Sequence, residues 1–239
     1  MMDNLISVGI KLELRQKYNR IEIPIENVRN YVSQVLDIED TTFQAAMPIY
    51  EGHLVPLEVG SKYEVFFKTS KGLYKATCEV MGRSKVEKIY MLELKPISKL
   101  EKFQRREYFR FNTNIDANIC LLTDNEMKIF MQSFTFPEDY KNKRKNATII
   151  DISGGGVKMV SNSLYKKNDL VLIEFNVIVG SSMRNISIPG KVIASTTSDN
   201  RLDLQEHRIE YNKIPKELRE LIIKYIFDEQ KRILQKERW

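Results

Sequence analysis

Short segments in which apolar and polar residues alternate recur along most of this chain. Ala76, Cys78 and Val80 alternate with polar or charged neighbours, and Leu92 and Leu94 repeat the pattern further on. A period of two places one set of side chains on the buried face of a strand and the other set in water. Many short strands separated by turn residues favour barrels or sandwiches. The chain is therefore predicted to be mainly β, with a barrel-like first domain and a second domain that is a barrel or a sandwich.

The end of the chain has a different period. Pro215 suits the first turn of a helix, and apolar residues recur after it at helical spacing as far as Ile233 and Leu234. We expect this C-terminal helix to cover the open end of the second barrel. A helix offered to a partner or to a membrane surface is the alternative.

The strand pattern is interrupted after Pro96, where mixed polar residues precede a basic run. The predicted organisation is a first β domain at 1–98, a linker at 99–106 that carries the start of an arginine motif, and a second domain at 107–239. Within the second domain, residues 122–146 are polar and charged. They are expected to form a long hairpin excursion with a basic tip.

Composition favours a binding protein over an enzyme. The 239 residues carry a formal net charge of +6, which suits an anionic partner. Cys78 and Cys120 lack the spacing of metal ligands, and no cluster of carboxylates and histidines suggests metal-assisted catalysis. No secretory signal and no membrane-spanning segment is recognised. A cytoplasmic protein without catalytic residues or cofactor is expected.

The first of two informative motifs is the basic-aromatic run that ends at Arg110. Arg105, Arg106 and Arg110 supply planar guanidinium groups, which match phosphate oxygens and the O6/N7 edge of guanine. In an extended segment Arg106 and Arg110 lie on the same side, roughly 13 Å apart. We expect Tyr108 and Phe109 to pack into the barrel and fix this segment.

The second motif begins at Asp151. An ionised carboxylate only accepts hydrogen bonds, so Asp151 suits the N1 and N2 donors of guanine. Ser153 can donate to a phosphate or ribose oxygen. Gly154, Gly155 and Gly156 permit positive φ and close approach, and their N–H groups are expected to form an anion-binding concavity. The two motifs together offer what a cyclic guanine dinucleotide requires.

These motifs resemble those of the PilZ domain, the bacterial receptor module for cyclic di-GMP. The resemblance rests on Arg106-x-x-x-Arg110 and Asp151-x-Ser153-x-x-Gly156 and covers about residues 103–239. It also includes Gln104-Arg105 ahead of the first motif, the later Gly190-Lys191-Val192 and the closing helix. The longer segment at 122–146 and the small residue Gly154 depart from the usual pattern.

The resemblance implies a site and a ligand. It places Arg106 and Arg110 on phosphates and guanine edges, Asp151 on guanine, and Ser153 with the glycines on the phosphate-ribose side. The full implied ligand-binding set is Gln104, Arg105, Arg106, Arg110, Asp151, Ser153, Gly154, Gly155, Gly156 and Gly190.

The first domain is similar to the N-terminal domain of YcgR-type flagellar brake proteins. Together the two resemblances imply two β-barrel domains, a YcgR-like split barrel followed by a PilZ barrel. Segments 31–35, 48–52 and 55–57 are typical of the Gram-positive branch of that group. The resemblance implies a protein partner in the flagellar motor, either the stator or the switch complex. It also implies recruitment to the flagellar basal body, with peripheral membrane association through the partner.

Because the arginine run falls where the linker meets the second domain, a ligand bound there would touch the hinge. We therefore predict that cyclic di-GMP resets the angle between the domains and so controls motility. One alternative is a β-barrel that binds single-stranded nucleic acid, although the charges are gathered at a few points and Asp151 would repel a phosphate backbone. Another is a ligand-independent PilZ scaffold, for which degenerate motifs would be expected.

Overall fold

The computed structural model describes residues 5–16, 30–50, 52–136, 139–198 and 203–236. Residues 1–4, which bear on the prediction about a secretory signal, lie outside the described residues. The chain divides into two compact units, Met1–Arg105 and Arg106–Trp239. Each is described by itself below.

The first unit is built from antiparallel strands. Its described strands are β1 (Lys11–Gln16), β2 (Asn30–Ile38), β3 (Phe43–Ala46), β4 (Ile49–Tyr50), β5 (His53–Leu54), β6 (Lys62–Thr69), β7 (Gly72–Val86), β8 (Ile89–Pro96) and β9 (Glu101–Lys102). The main sheet has the order β6-β1-β2-β3-β8-β7-β9, and β6 also pairs with β7. The pairings from β6 round to β7 therefore form a closed circuit, as predicted for a barrel. β4 and β5 form a separate hairpin.

The apolar residues of the alternating sequence pattern form the interior of this unit. Ala76, Cys78, Leu92 and Leu94 are all buried. Burial raises the pKa of the Cys78 thiol to about 12, so this cysteine stays protonated and packs as a small apolar side chain. Part of the predicted 99–106 linker belongs to this unit, because β9 pairs with β7 at Tyr74 and Lys75.

The second unit contains a closed barrel whose strands are in the order β10-β11-β12-β15-β14-β13. The strands are β10 (Arg110–Leu122), β11 (Lys145–Ser153), β12 (Gly156–Ser161), β13 (Leu170–Val179), β14 (Ser182–Thr197) and β15 (Gln205–Tyr211). All of the adjacent pairs are antiparallel. The predicted mainly β fold with two β-barrel domains is confirmed.

The predicted C-terminal helix is α3 (Lys216–Lys236), as numbered after the two short helices described next. Ile222, Tyr225 and Ile226 belong to the same buried cluster as the barrel interior, so the helix covers the barrel as expected. Ile233 and Leu234, which share its apolar spacing, are exposed. No helix in the described part of the chain is long and apolar enough to cross a membrane.

The prediction of a hairpin at 122–146 is wrong. The described part of this insertion forms two helices, α1 (Asp124–Ser133) and α2 (Tyr140–Lys143). Thr123 caps α1, since its hydroxyl accepts from the Glu126 N–H while the Glu126 carboxylate accepts from the Thr123 N–H. This reciprocal capping box satisfies two of the N–H groups that begin a helix.

The insertion has a small core of its own, which covers the outside of β10. Phe130, Tyr140 and Leu172 are buried there together with Cys120. A period of two continued from the buried Ile119 would bury Leu121 and expose Cys120, but Leu121 is exposed and Cys120 is buried. The helices explain the burial of Cys120, because they cover the face of β10 that would otherwise be in water.

A buried histidine gives the second unit a measurable pH dependence. The His207 ring donates from Nε2 to the Ser163 carbonyl (3.0 Å) and accepts at Nδ1 from the Ser195 hydroxyl (2.9 Å), and burial lowers its pKa. Below a pH of about 6.5 the unfolded chain binds a proton that the folded unit resists. Stability is therefore expected to fall as the pH drops from about 6.5 through the folded pKa.

Replacing His207 with glutamine should flatten this part of the pH profile. The check is the thermal midpoint of the second unit's unfolding transition, measured from pH 7.5 to pH 5 for both proteins. His53→Gln, at an exposed position in the first unit, is the matched control. A wild-type slope in the His207 variant would contradict the assignment.

Candidate functional site

Two of the predicted arginines lie at the beginning of the second unit. Arg106 is its first residue, and Arg110 is the first residue of β10. Arg110 is paired with Ser153 on β11, and Asn112, two residues later, is paired with Asp151. Since side chains two apart on a strand share a face, the pairing brings the first motif beside the second.

Asp151 lies half-buried among positive charges. Burial raises its pKa, while the charges of Arg110, Lys158 and Arg106 oppose that rise, in this order of size. Within the described residues none of the three cations forms an ion pair with this carboxylate. The cations therefore keep donors, and Asp151 keeps acceptor sites, for another partner.

Ser153 closes the turn between β11 and β12. Its buried hydroxyl donates to the Gly156 carbonyl (3.1 Å) and accepts from the Gly155 N–H (3.3 Å). The donor that was predicted to meet a phosphate or ribose oxygen is thus used inside the turn in this structure. The Gly155 N–H, which was predicted to be part of the anion-binding concavity, is also used inside the turn, where it donates to Ser153.

The expectation of positive φ at the glycines is wrong, because none of Gly154, Gly155 and Gly156 lies in the left-handed region. Close approach explains them instead. A Cβ at Gly154 would lie 2.5 Å from Cδ1 of Tyr108, and one at Gly155 would lie 3.0 Å from Cδ2 of the same ring. The turn is built from glycine so that the ring can lie against it.

Gly156 and Gly190 meet β15 on its two sides. A Cβ at Gly156 would collide with the Ile209 carbonyl oxygen, and one at Gly190 would lie 2.6 Å from Cγ2 of Ile209. Gly156 is paired with Glu210, and Gly190 with Tyr211. Both glycines therefore allow neighbouring strands to close the barrel.

Tyr108 is held by a residue that the sequence did not single out. Nη1 of Arg219 on α3 donates to the Tyr108 hydroxyl, and the guanidinium carbon lies 5.2 Å from the ring centroid. The prediction that Tyr108 and Phe109 pack into the barrel is wrong: Tyr108 is half-buried against the glycine turn, outside the barrel core, and Phe109 is 62% exposed.

Gln104 and Arg105 lie in the first unit, whereas the rest of the predicted set lies in the second. Gln104 is exposed. Arg105 donates to Glu13 of β1 at 2.8 Å, and Glu13 also binds Lys68 at 2.6 Å. Although burial opposes it, this pair of cations lowers the pKa of Glu13. In this structure, therefore, the Arg105 guanidinium is engaged in an ion pair within the first unit.

Two further cations share the outer face of the barrel with Asp151. Lys158 on β12 is paired with Asp151, and Arg208 on β15 is paired with Lys158. Lys158 also forms an ion pair with Glu206 at 2.7 Å. Neither cation was predicted from the sequence, although a period of two from Gly156 places Lys158 on the same face of β12 as Gly156.

The described residues contain no group of three or more His, Cys, Asp or Glu side chains that could hold a metal ion. The site consists of cations, one carboxylate and a glycine turn. Its donors suit phosphate and its acceptor suits a polarised N–H group.

Comparison with known families decides what kind of domain carries this site. The family model described as the PilZ domain matches residues 104–228, more than half of the chain. The chain belongs to the PilZ family. A second model, described as flagellar protein YcgR, matches residues 18–96 of this PilZ protein, so the predicted resemblance is confirmed for both parts.

Two solved structures have a similar fold. The Bacillus subtilis inhibitor of motility MotI/DgrA is 18% identical, with a TM-score of 0.72 over 94% of this chain and 98% of that chain. Escherichia coli YcgR, solved in complex with c-di-GMP, is 14% identical, with a TM-score of 0.52 over 96% of this chain and 87% of that one. No curated protein gives a significant sequence match. At these identities the likeness concerns the fold.

Proposed function

We propose that this PilZ protein is a receptor for cyclic di-GMP. The observation that carries the proposal is the juxtaposition of Arg106 and Arg110 with the half-buried Asp151, next to a glycine turn. Two phosphates and two guanine bases require several planar cations and an acceptor for guanine N–H groups. The second unit brings these groups together on one strand pair.

Asp151 provides the base specificity in this proposal. A carboxylate opposite guanine accepts from N1–H and from the amino group at C2. Adenine has an acceptor at N1 and no amino group at C2. Burial has already removed part of the hydration of Asp151. A hydrogen bond in that position is stronger than in water, and an adenine ligand would leave the carboxylate unsatisfied.

The ligand acts, in our proposal, where the two units join. The division of the chain falls between Arg105 and Arg106, and Arg105 is paired with Glu13 of the first unit. We propose that a ligand that engages both arginines draws Arg105 away from that pair. Binding would therefore exchange an intramolecular ion pair for a ligand contact and reset the angle between the units.

For the output, we propose control of flagellar motility through a protein of the flagellar motor, either the stator or the switch complex. A cytoplasmic receptor recruited to the flagellar basal body would fit this role. The support is the match of the first unit to a family described as flagellar protein YcgR. The fold shared with MotI/DgrA, which is described as an inhibitor of motility, agrees with it.

Titration calorimetry of the full chain tests the receptor. We expect binding of cyclic di-GMP at micromolar ligand and much weaker binding of cyclic di-AMP. Absence of heat with cyclic di-GMP, or equal binding of the two ligands, would overturn the proposal. Small-angle scattering with and without the ligand tests the switch, because a reset angle changes the profile while a fixed one leaves it unaltered.

Removing the Arg105–Glu13 pair is expected to strengthen ligand binding. In Glu13→Gln the ion pair is absent before binding, so the ligand no longer has to break it. Since exposed pairs contribute about 0.2–1 kcal/mol, affinity for cyclic di-GMP should increase by up to about fivefold. Glu64→Gln, which removes the partner of Lys75 in the same unit, is the control and should bind as wild type does. Weaker binding by Glu13→Gln would show that the pair assists the ligand.

A further inference from the structure

Arg219 leaves α3 one turn before the residues that fix this helix on the barrel. Ile222 and Ile226 are buried in the barrel core, so the backbone of the first half of α3 is held firmly. From there Arg219 reaches Tyr108, more than a hundred residues earlier in the chain. Its Nε is buried and has no hydrogen-bond partner within the described residues.

Tyr108 is anchored through both its hydroxyl and its ring. The hydroxyl accepts from Nη1 of Arg219, and the neighbouring Glu107 carboxylate raises the pKa of Tyr108. The ring lies against Gly154 and Gly155, where a Cβ would come within 3.0 Å. The turn and the helix therefore hold the same side chain.

The segment around Tyr108 has little else to hold it. Phe103 and Arg105 have contacts of their own in the first unit, whereas residues 106–109 lie outside the strands and the β10 pairing begins only at Arg110. Arg106 and Arg110 are each two residues from Tyr108, and both are exposed. Fixing Tyr108 thus limits the positions that both guanidinium groups can take.

We propose that Arg219 is a positioning residue for the ligand site, which it organises by clamping Tyr108 onto the glycine turn. The inference rests on the proposed function, since the ligand in question is cyclic di-GMP. Without the clamp, binding would have to order Arg106 through Arg110 as well as contact them. The cost of that ordering lowers affinity without removing any ligand contact.

The first test compares affinities by titration calorimetry. Tyr108→Phe keeps the ring and removes the hydroxyl, whereas Arg219→Met removes the guanidinium and keeps an unbranched apolar side chain. Each is expected to weaken cyclic di-GMP binding about tenfold, as for loss of one hydrogen bond to a charged group. The double variant should be no weaker than either single variant. Arg232→Met is the control, because Arg232 lies on the same helix but binds Glu229.

The second test needs no ligand. Hydrogen exchange of the amides at 107–110 should be faster in Arg219→Met and in Tyr108→Phe, with the unfolding midpoint close to that of the wild type. Arg219→Lys, which restores one donor, should recover part of the protection. If the wild type fails to bind cyclic di-GMP, the proposed function is wrong, whereas this comparison still decides on the clamp.

Two outcomes would overturn the inference. One is unchanged exchange at 107–110 in Arg219→Met. The other is weak binding by Arg219→Met together with wild-type binding by Tyr108→Phe, which would make Arg219 a direct ligand contact.

Discussion

Arg110→Ala is expected to weaken cyclic di-GMP binding by at least about 100-fold. Strand pairing with Ser153 fixes the backbone of Arg110, which has the largest charge effect on Asp151. Its guanidinium can make two charge-assisted hydrogen bonds, each contributing about 1.5–3 kcal/mol. Their loss corresponds to about 3 kcal/mol or more, hence the factor of 100. Titration calorimetry on the full chain measures the change.

Arg184→Ala separates this effect from a change in net charge. Arg184 is an exposed residue of β14 in the same unit, opposite Val177 and away from the motif strands. Its removal lowers the net charge by the same amount, so binding should stay near the wild-type affinity. Equal losses in the two variants would mean that the ligand responds to overall charge and that the proposed contact is wrong.

Gly156→Ala is expected to have the largest effect on stability. The new Cβ would collide with the Ile209 carbonyl oxygen and lie 3.2 Å from the Cα of Glu210. Both atoms are main-chain atoms of β15, so a rotamer change gives no relief. Overpacking of this kind costs about 1–3 kcal/mol, and more when a backbone must move. The thermal midpoint of the second unit should fall by several degrees or more, and ligand binding should weaken with it.

Gly82→Ala is the matched control in the first unit. There the nearest atom to a new Cβ is a carboxylate oxygen of Glu93 at 3.3 Å, which a flexible side chain can move aside. Its midpoint should stay close to that of the wild type. If Gly156→Ala unfolded at the wild-type temperature, β12 and β15 would not be packed as closely as described.

The strands could be predicted because burial imposes a period of two on a sheet with one wet face. The prediction failed where this condition did not hold. At Cys120 the insertion covers the outer face of β10, so that alternation alone misplaces this residue. The signal for the insertion itself was present, since Thr123 and Glu126 have the spacing of a capping box. Because the segment is polar and charged, it was predicted to be a hairpin excursion instead.

The motif residues of the candidate site could be proposed from the sequence because their chemistry is specific and their spacing is short. The residues that hold these motif residues in place could not be predicted. Arg219 meets Tyr108 only through the packing of α3 on the barrel, which no local pattern encodes. The glycines were predicted to permit positive φ and close approach, and only close approach, by Tyr108 and by Ile209, is found in the structure. Which of these two reasons applies depends on neighbours that are distant in sequence.

The position of the unit boundary has a consequence for how this connection can vary. Exposed connections between compact units usually accept insertions and deletions. Here Arg105 is paired with Glu13 of β1 and Arg110 begins β10, so that only residues 106–109 connect them. One added glycine between Arg105 and Arg106 would leave both folds intact but would lengthen the reach from one cation to the other. If a single ligand spans both, the length of this connection is set by the ligand and not by the folds that it joins.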